Sequence, residues 1–447
     1  MLLSGCATLP PAAPGLTPSP APTIEAPAAP VGRDRLPAWR AHFPALQQAV
    51  SALGETNVFA YEAADSSLPE VEREVLAQAF ALLPHFELQP GDCLAFDPVV
   101  GPETPFPDHL PLRLVAALRT VQVRLLADAG NTSAALAATR QNLALARANL
   151  TAQAGVLPLI HANGMWQSAL DAVQSIARMP ALPADDARVL LDELLADQGL
   201  ATLAIKRAFA GEYTGVFRVV VDRMPDTDDP DLLLSAVASL GMAPPSPPEP
   251  GELGLGLTKH RLLDRAATYE AYRRDLGGYF AALDRATIFP RGLYASTTAT
   301  TLAGYRAELG GFYRYATDEE PVTWTQVLRA RADLEATTNP FGKLIADFLT
   351  PAWEPLIGST LRREAQRQAV IGLLAWRLHG RPAPWSEIAA AGLLPSPPAD
   401  PFAEGAPLRV ATGPDARIWS LHLNAIDDGG RPEQGNSGQP ADLVWAW

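Results

Sequence analysis

Apolar residues return at steps of three and four through most of residues 36–242, the period of helices that bury one face. In the stretch LRLVAALRTVQVRLL, Leu114, Leu118, Val121 and Leu125 fall on one side. The chain then turns at Gly130-Asn131 and begins a second helix, for which Thr132 or Ser133 supplies the cap. LPADDARVLLDELLAD adds another amphipathic helix, with Pro183 near its start and acidic residues where the helix dipole favours them. The period breaks at APPSPPEPGELGLG, resumes in TKHRLLDRAATYEAYRRDLGGYFAALDRA, and continues over residues 340–380 with kinks expected at Pro351 and Pro355. Near the end it changes to two. APLRVATG, ARIWSLHLNA and DLVWAW alternate, with Trp419, Leu421 and Leu423 on one face and Leu443, Trp445 and Trp447 on one face of the last segment. Gly413-Pro414-Asp415 makes the first turn. The pattern predicts a mainly α protein: a helical array closed by a small C-terminal antiparallel β-sheet of about three strands.

Ahead of residue 36 no such period exists. Pro10, Pro11, Pro14, Pro18, Pro20, Pro22, Pro27 and Pro30 are spaced through alanine from Ala7 to about Val31. Fixed φ and missing donors exclude helix and sheet, so this tether is expected to run as semi-rigid polyproline II at about 3.1 Å per residue. Immediately before it, Leu3-Ser4-Gly5-Cys6 resembles the lipobox of bacterial lipoproteins, in which a hydrophobic and two small residues admit the signal peptidase. The resemblance implies a lipid on Cys6, a signal-peptide remnant at residues 1–5, and a periplasmic body attached to the membrane through its lipid anchor. Ala7 stands where an inner-membrane retention aspartate often stands in Gram-negative lipoproteins, which points to the outer membrane. The basic and apolar regions of a signal peptide do not precede Cys6 here, so the start lies too late or the signal has been trimmed. With Cys6 acylated, Cys93 in PGDCLAFD has no disulfide partner and reads as a small buried hydrophobe.

These breaks divide the chain into a signal-peptide remnant (1–5), the lipidated cysteine and tether (6–35), a helical domain (36–242), a proline- and glycine-rich linker (243–257), a second helical domain (258–360) and a helix plus small sheet (361–447). With 48% hydrophobic residues the chain has material for a sizeable core. The net charge of −14 argues against nucleic acid as a partner, since phosphate binding needs a clustered basic surface. No apolar run reaches the roughly 18 to 20 residues that cross a bilayer. The helix pair over residues 112–150 resembles an αα-hairpin of the tetratricopeptide type, but no constant period recurs elsewhere, so the chain is a helical array and not a repeat protein.

Motifs for catalysis are absent from the sequence. His161, in LPLIHANGMWQ, has no second histidine or carboxylate at matched helical spacing, and reads as structural. GELGLGLTK fails as a phosphate loop because Leu257 and Thr258 separate the last glycine from Lys259. Ser437 in GNSGQ lacks the strand and helix of a nucleophile elbow. Asp226, Asp228, Asp229 and Asp231 lack the glycine and distal glutamate of an EF-hand and are expected to cap the helix that begins near Asp231. Arg362, Arg363 and Arg367 read as a solvated helix face; the other use for them is contact with lipid or lipopolysaccharide phosphates.

From about residue 361 a helix ending LLAWRLHGR is followed by LLPSPPADPF, APLRV, IWSLHLNAIDDGG and ADLVWAW. This order resembles the globular end of the major pseudopilins of type II secretion. It is also similar to a group of bacterial envelope proteins in which an NPFGKL-like segment, here residues 339–344, precedes the same helix. The pseudopilin resemblance implies a calcium ion in the acidic loop, with Asp427, Asp428 and Asp442 as ligands by position and Asn424 beside them. Gly429 and Gly430 suit the positive φ of a chain wrapping an ion, and the alternative is a hairpin loop rich in turn residues. RPEQGNSGQP enlarges the loop relative to that pattern, and Arg362, Arg363 and Glu364 interrupt any membrane helix, so fibre formation does not carry over. The sequence thus predicts a non-catalytic, lipid-anchored envelope protein that binds or assembles with envelope or secretion proteins. The competing expectation is an envelope hydrolase with carboxylates dispersed along the chain.

Overall fold

The computed structural model describes residues 23–25, 28–51, 53, 58–59, 70–97, 101, 104–152, 155–237, 262–285, 339, 342, 345, 353–403, 406–421, 427–431 and 442–447. Cys6, Asn424, Ser437 and the 243–257 linker lie outside them. The protein is mainly α with a three-stranded antiparallel sheet near the C-terminus, as the periodicity predicts.

A two-residue strand, β1 (Arg33–Asp34), opens the body and pairs in parallel with β2 (Asp92–Cys93). Between them lie α1 (Leu36–Arg40), α2 (Phe43–Ser51) and α3 (Glu70–Phe80). The centre is a trio: α4 (His109–Asp128), α5 (Thr132–Ala152) and α6 (Val156–Ala177), each packed on the other two. Short connections make α4 and α5 antiparallel, then α5 and α6, so α4 and α6 run side by side in the same direction. Gly130 ends α4 at φ 71°, where a residue with a Cβ is strained. The cap of α5 is Asn131, one residue earlier than expected, with its Oδ1 accepting from Ala134 N–H at 3.3 Å.

The trio is not held by apolar contact alone. Thr120 Oγ1 donates to the Ser168 carbonyl at 2.9 Å, and Asn142 Nδ2 donates to Ala116 O at 3.2 Å and to Thr120 Oγ1 at 3.1 Å. All three of these side chains are fully buried. A buried polar group costs free energy unless it is paired, so this seam admits one register between the helices.

Around the trio stand α7 (Ala184–Ala196) and α8 (Leu200–Glu212), the latter continuing through a π-helical turn (Tyr213–Phe217) into α9 (Arg218–Arg223). Then come α10 (Pro230–Val237) and α11 (Arg265–Arg285). Pro183 precedes α7, and Asp185 and Asp186 occupy its first turn, as expected. The longest helix, α12 (Trp353–His379), packs on α6, α7 and α8 on one side and on the sheet on the other. Residues 369–371 and 373–376 are buried, the all-round burial of a central helix. Pro355 falls in its first turn, where no intrahelical N–H is needed, and the helix runs unbroken across residue 360. The short α13 (Trp385–Ala390) leads to the sheet, β3 (Arg409–Ala411), β4 (Arg417–Ser420) and β5 (Leu443–Ala446), in that spatial order.

Central strand β4 is covered on both faces. Ile418 pairs in register with Val410 and Trp445 and faces α12, where the Gly372 backbone approaches it. Trp419 faces the other way and is only 9% exposed, because the loop at 427–430 closes over it. Asp400 ties the end of β4 down: its fully buried carboxylate accepts from Ser420 Oγ at 2.7 Å, Leu421 N–H at 3.0 Å and Phe402 N–H at 2.9 Å. A Cβ on Gly372 would stand 2.7 Å from both Ile418 Cδ1 and the Trp385 ring. Gly372→Ala is therefore expected to lower stability by about 1–3 kcal/mol, an overpacking cost, read as a lower urea midpoint at unchanged slope.

Candidate functional site

The C-terminal acidic loop is built on the outer face of the sheet. Gly429 and Gly430 take φ of 74° and 69°, the positive values expected of them. At Gly430 a side chain is also excluded by space, since a Cβ would lie 2.6 Å from Arg417 Nε and 3.0 Å from the Trp419 ring. The reversal this permits brings Asp427, Asp428 and Asp442 into one neighbourhood. Asp442 is 2% exposed, and its Oδ2 accepts from Asp428 N–H at 3.0 Å and Gly430 N–H at 2.9 Å. Asp427 Oδ1 accepts from the Trp419 indole N–H and from Gly429 N–H, both at 3.0 Å, and its Oδ2 lies 3.5 Å from Arg409.

The two carboxylates differ in their electrostatics. Burial alone would raise Asp427, but the Trp419 and Gly429 donors and the Arg409 charge outweigh it and hold that carboxyl below the ordinary range. Asp442 moves the opposite way: burial raises it, the charges of Asp428 and Asp427 add to the effect, and the loop N–H groups only partly offset them. Its Oδ1 is buried with no hydrogen-bond partner. An oxygen in that position, beside two further carboxylates, is a donor that a hard cation would satisfy. Among the described residues no three His, Cys, Asp or Glu side chains gather closely enough to hold a metal ion by themselves. Carbonyls and water would have to complete a calcium shell.

A second constellation escapes linear reading. His161 does have an imidazole neighbour: His109, in the first turn of α4, faces it edge-on with ring centroids 5.7 Å apart. The partner is 52 residues away in sequence, so a search for i, i+4 spacing on one helix misses it. Parallel packing of α4 and α6 brings the first turn of α4 against the second turn of α6. Phe96 and Phe106 flank His109 at 4.7 and 5.5 Å, and Arg113 lies over Phe59 at 4.9 Å while donating to Ser168 Oγ at 2.7 Å. Gly164 makes room for that guanidinium, since a Cβ would stand 2.8 Å from Arg113 Nε. Asp108, next in the chain, is engaged by Arg40 at 2.9 and 2.7 Å. Burial, reinforced by Arg113, holds the His161 imidazole below its ordinary value. It is neutral at pH 7 and able to accept a proton.

The other sequence candidates have structural work. Asp229 caps α10, its Oδ1 accepting from Leu232 N–H at 3.4 Å, while Asp228 accepts from Leu262 N–H at 2.9 Å. Arg367 is not part of a solvated face: it is 1% exposed and bound to Glu364 and the Leu194 carbonyl. Arg363 reaches Gln366 Oε1 at 3.3 Å. Asn339, with φ 66°, grips the start of α11, accepting from Asp264 N–H at 2.7 Å and donating to Thr268 Oγ1 at 2.9 Å. Cys93 is buried and free, and burial, with Asp34 and Asp92 nearby, pushes its thiol up.

The depressed His161 sets a pH dependence. Protons bind the unfolded imidazole more tightly, so this contribution to stability is full above the unfolded value of about 6.5 and falls as the pH drops through it. The urea midpoint of the parent is expected to fall more steeply between pH 7.5 and 5.5 than that of His161→Gln; equal slopes would refute the assignment. No protein-family profile, curated protein or solved structure matches the chain.

Proposed function

We propose that this chain is a lipid-anchored protein of the bacterial cell envelope, held at the outer membrane with its body in the periplasm. It acts there by binding or assembly, with envelope or secretion proteins as partners. The observation that carries the reading is the junction Leu3-Ser4-Gly5-Cys6 followed by a proline and alanine spacer that leads into a packed helical body. Stable anchoring takes more than one acyl chain, and a cysteine carrying them ahead of a stiff spacer suits a module that must stay at a membrane while reaching a partner. Among the described residues no helix is long and apolar enough to cross a membrane.

The test is expression behind a complete signal sequence with metabolic labelling by an alkyne palmitate. Label and membrane fractionation are expected for the parent, and both should be lost in Cys6→Ser. An unlabelled parent overturns the anchor. Crosslinking in whole cells then identifies the partners, with the Cys6→Ser chain as control.

The acidic loop is proposed to take calcium, with Asp442 Oδ1 as the inner ligand and Asp427 and Asp428 beside it. The support is that buried oxygen without a partner and the charge repulsion around it. Calcium is expected to raise the melting temperature of the parent by several degrees and that of Asp442→Asn by none; a parent indifferent to calcium removes the ion from the account.

A hydrolase acting on envelope polymers is the second reading, favoured by the neutral His161 beside His109 and Arg113. It requires that the purified chain degrade an envelope polymer and that His161→Gln abolish the activity.

A further inference from the structure

Among the described residues that lead into the body, two places of different strength touch it. The inner attachment is the β1–β2 pair. Arg33 N–H donates to Gly91 O at 2.9 Å, Arg33 pairs with Asp92 at 2.7 Å, and Asp34 Oδ1 accepts from both Leu36 N–H and Ala95 N–H at 3.0 Å. Gly32, at φ 150°, is required here, because a Cβ would come within 2.7 Å of the Gly91 carbonyl. Several bonds and a close backbone contact hold this pair together.

The outer attachment is much slighter. Ile24 packs its half-buried side chain on the hydrophobic core, and Arg207 Nη2 on α8 donates to the Ala28 carbonyl at 2.7 Å. The rest of that guanidinium is poorly served: Arg207 Nε is buried without a partner, and burial lowers the Arg207 pKa. Between the two attachments Val31 is 98% exposed. Among the described residues, one apolar side chain and one guanidinium-to-carbonyl bond thus fasten a segment whose other end is firmly tied.

We propose that residues 23–25 and 28–30 belong to a detachable strap on α8, giving the tether two lengths. At the polyproline II spacing that its sequence predicts, a spacer from Ala7 to Pro22 would reach about 50 Å with the strap seated, and one from Ala7 to Val31 about 75 Å with it released. The strap would set how far from its anchor the body finds a partner. That use rests on the lipid-anchor reading; the docking itself does not.

Electron paramagnetic distance measurement tests the docking on the full chain, in a Cys6→Ser, Cys93→Ala background with nitroxides on Glu25→Cys and Val189→Cys. A narrow distance distribution is expected, broadening at least twofold in Arg207→Ala. Ile24→Ser lies in the strap, outside the folded body, and should broaden it equally. A parent distribution as broad as that of Ile24→Ser overturns the strap. The acylated chain with native Cys6 is then placed on a supported bilayer and read by neutron reflectometry. The body should stand farther from the membrane in Ile24→Ser by up to about 25 Å. Equal heights overturn the two lengths. Failure of Cys6 to take lipid is a separate result: it removes the anchor and leaves the spin-label comparison to judge the strap.

Discussion

The Arg367 guanidinium, buried in the middle of α12, is the contact on which the seating of α12 against its neighbours depends. A charge removed from water must be paired and hydrogen-bonded, and here Glu364 on the same helix and the Leu194 carbonyl at the end of α7 do both. Burial works against the charge, yet Glu364 and Asp197 keep the guanidinium ionised well above neutrality. Because only one rotation of α12 reaches those partners, the helix faces are assigned: Asn163 and Asp171 of α6 meet Thr360 and Gln366, and Gly372 is turned toward the sheet. The apolar run around Gly372 would pack in several rotations. The polar pair selects among them.

Much of this fold is legible in the residue pattern, and the exceptions have specific causes. Helices α5 and α7 show their period and their ends because each has a wet face, so polar residues mark what is outside; α4 is buried all round from Leu114 to Val121 and shows mainly its end, at Gly130. In α12 the signal weakens, since residues 369–376 are apolar all round, and Arg367 looks like a surface residue until its carbonyl partner is known. Thr120, Asn142 and Ser168 are equally misleading. They would be read as solvent-facing, but Asn142 donates to Thr120, Thr120 to the Ser168 carbonyl, and the Ser168 hydroxyl accepts from Arg113. In the sheet, alternation finds the strands and misjudges the burial. Ile418 and Trp419 point to opposite faces and both are covered, the first by α12 and the second by the loop at 427–430.

At the sites the division follows distance in sequence. Asp427, Asp428, Gly429 and Gly430 are adjacent, so turn chemistry alone shows a reversal there. What the string of letters does not contain is that Asp442 is buried beneath that reversal and has one oxygen satisfied twice and the other not at all. His109 and His161 meet only because a helix hairpin and a third helix bring two N-terminal turns to the same end of the trio. No one-dimensional spacing rule reports such a pair. The histidines could be found only by first docking α4 against α6, and the seam at Thr120 is what determines that docking.

Helix α6 touches all these regions. Its first residue donates to Glu212 at the end of α8, its second turn carries His161, and just past its last turn Arg178 holds the Ala446 carbonyl of β5 at 2.8 Å. The helix between is about 33 Å long at the standard rise, packed on α4, α5 and α12 and pinned in register by buried side-chain bonds. One continuous helix therefore spans the distance from the paired imidazoles to the last strand, so the histidine end and the sheet end share a single packed element rather than meeting through loops.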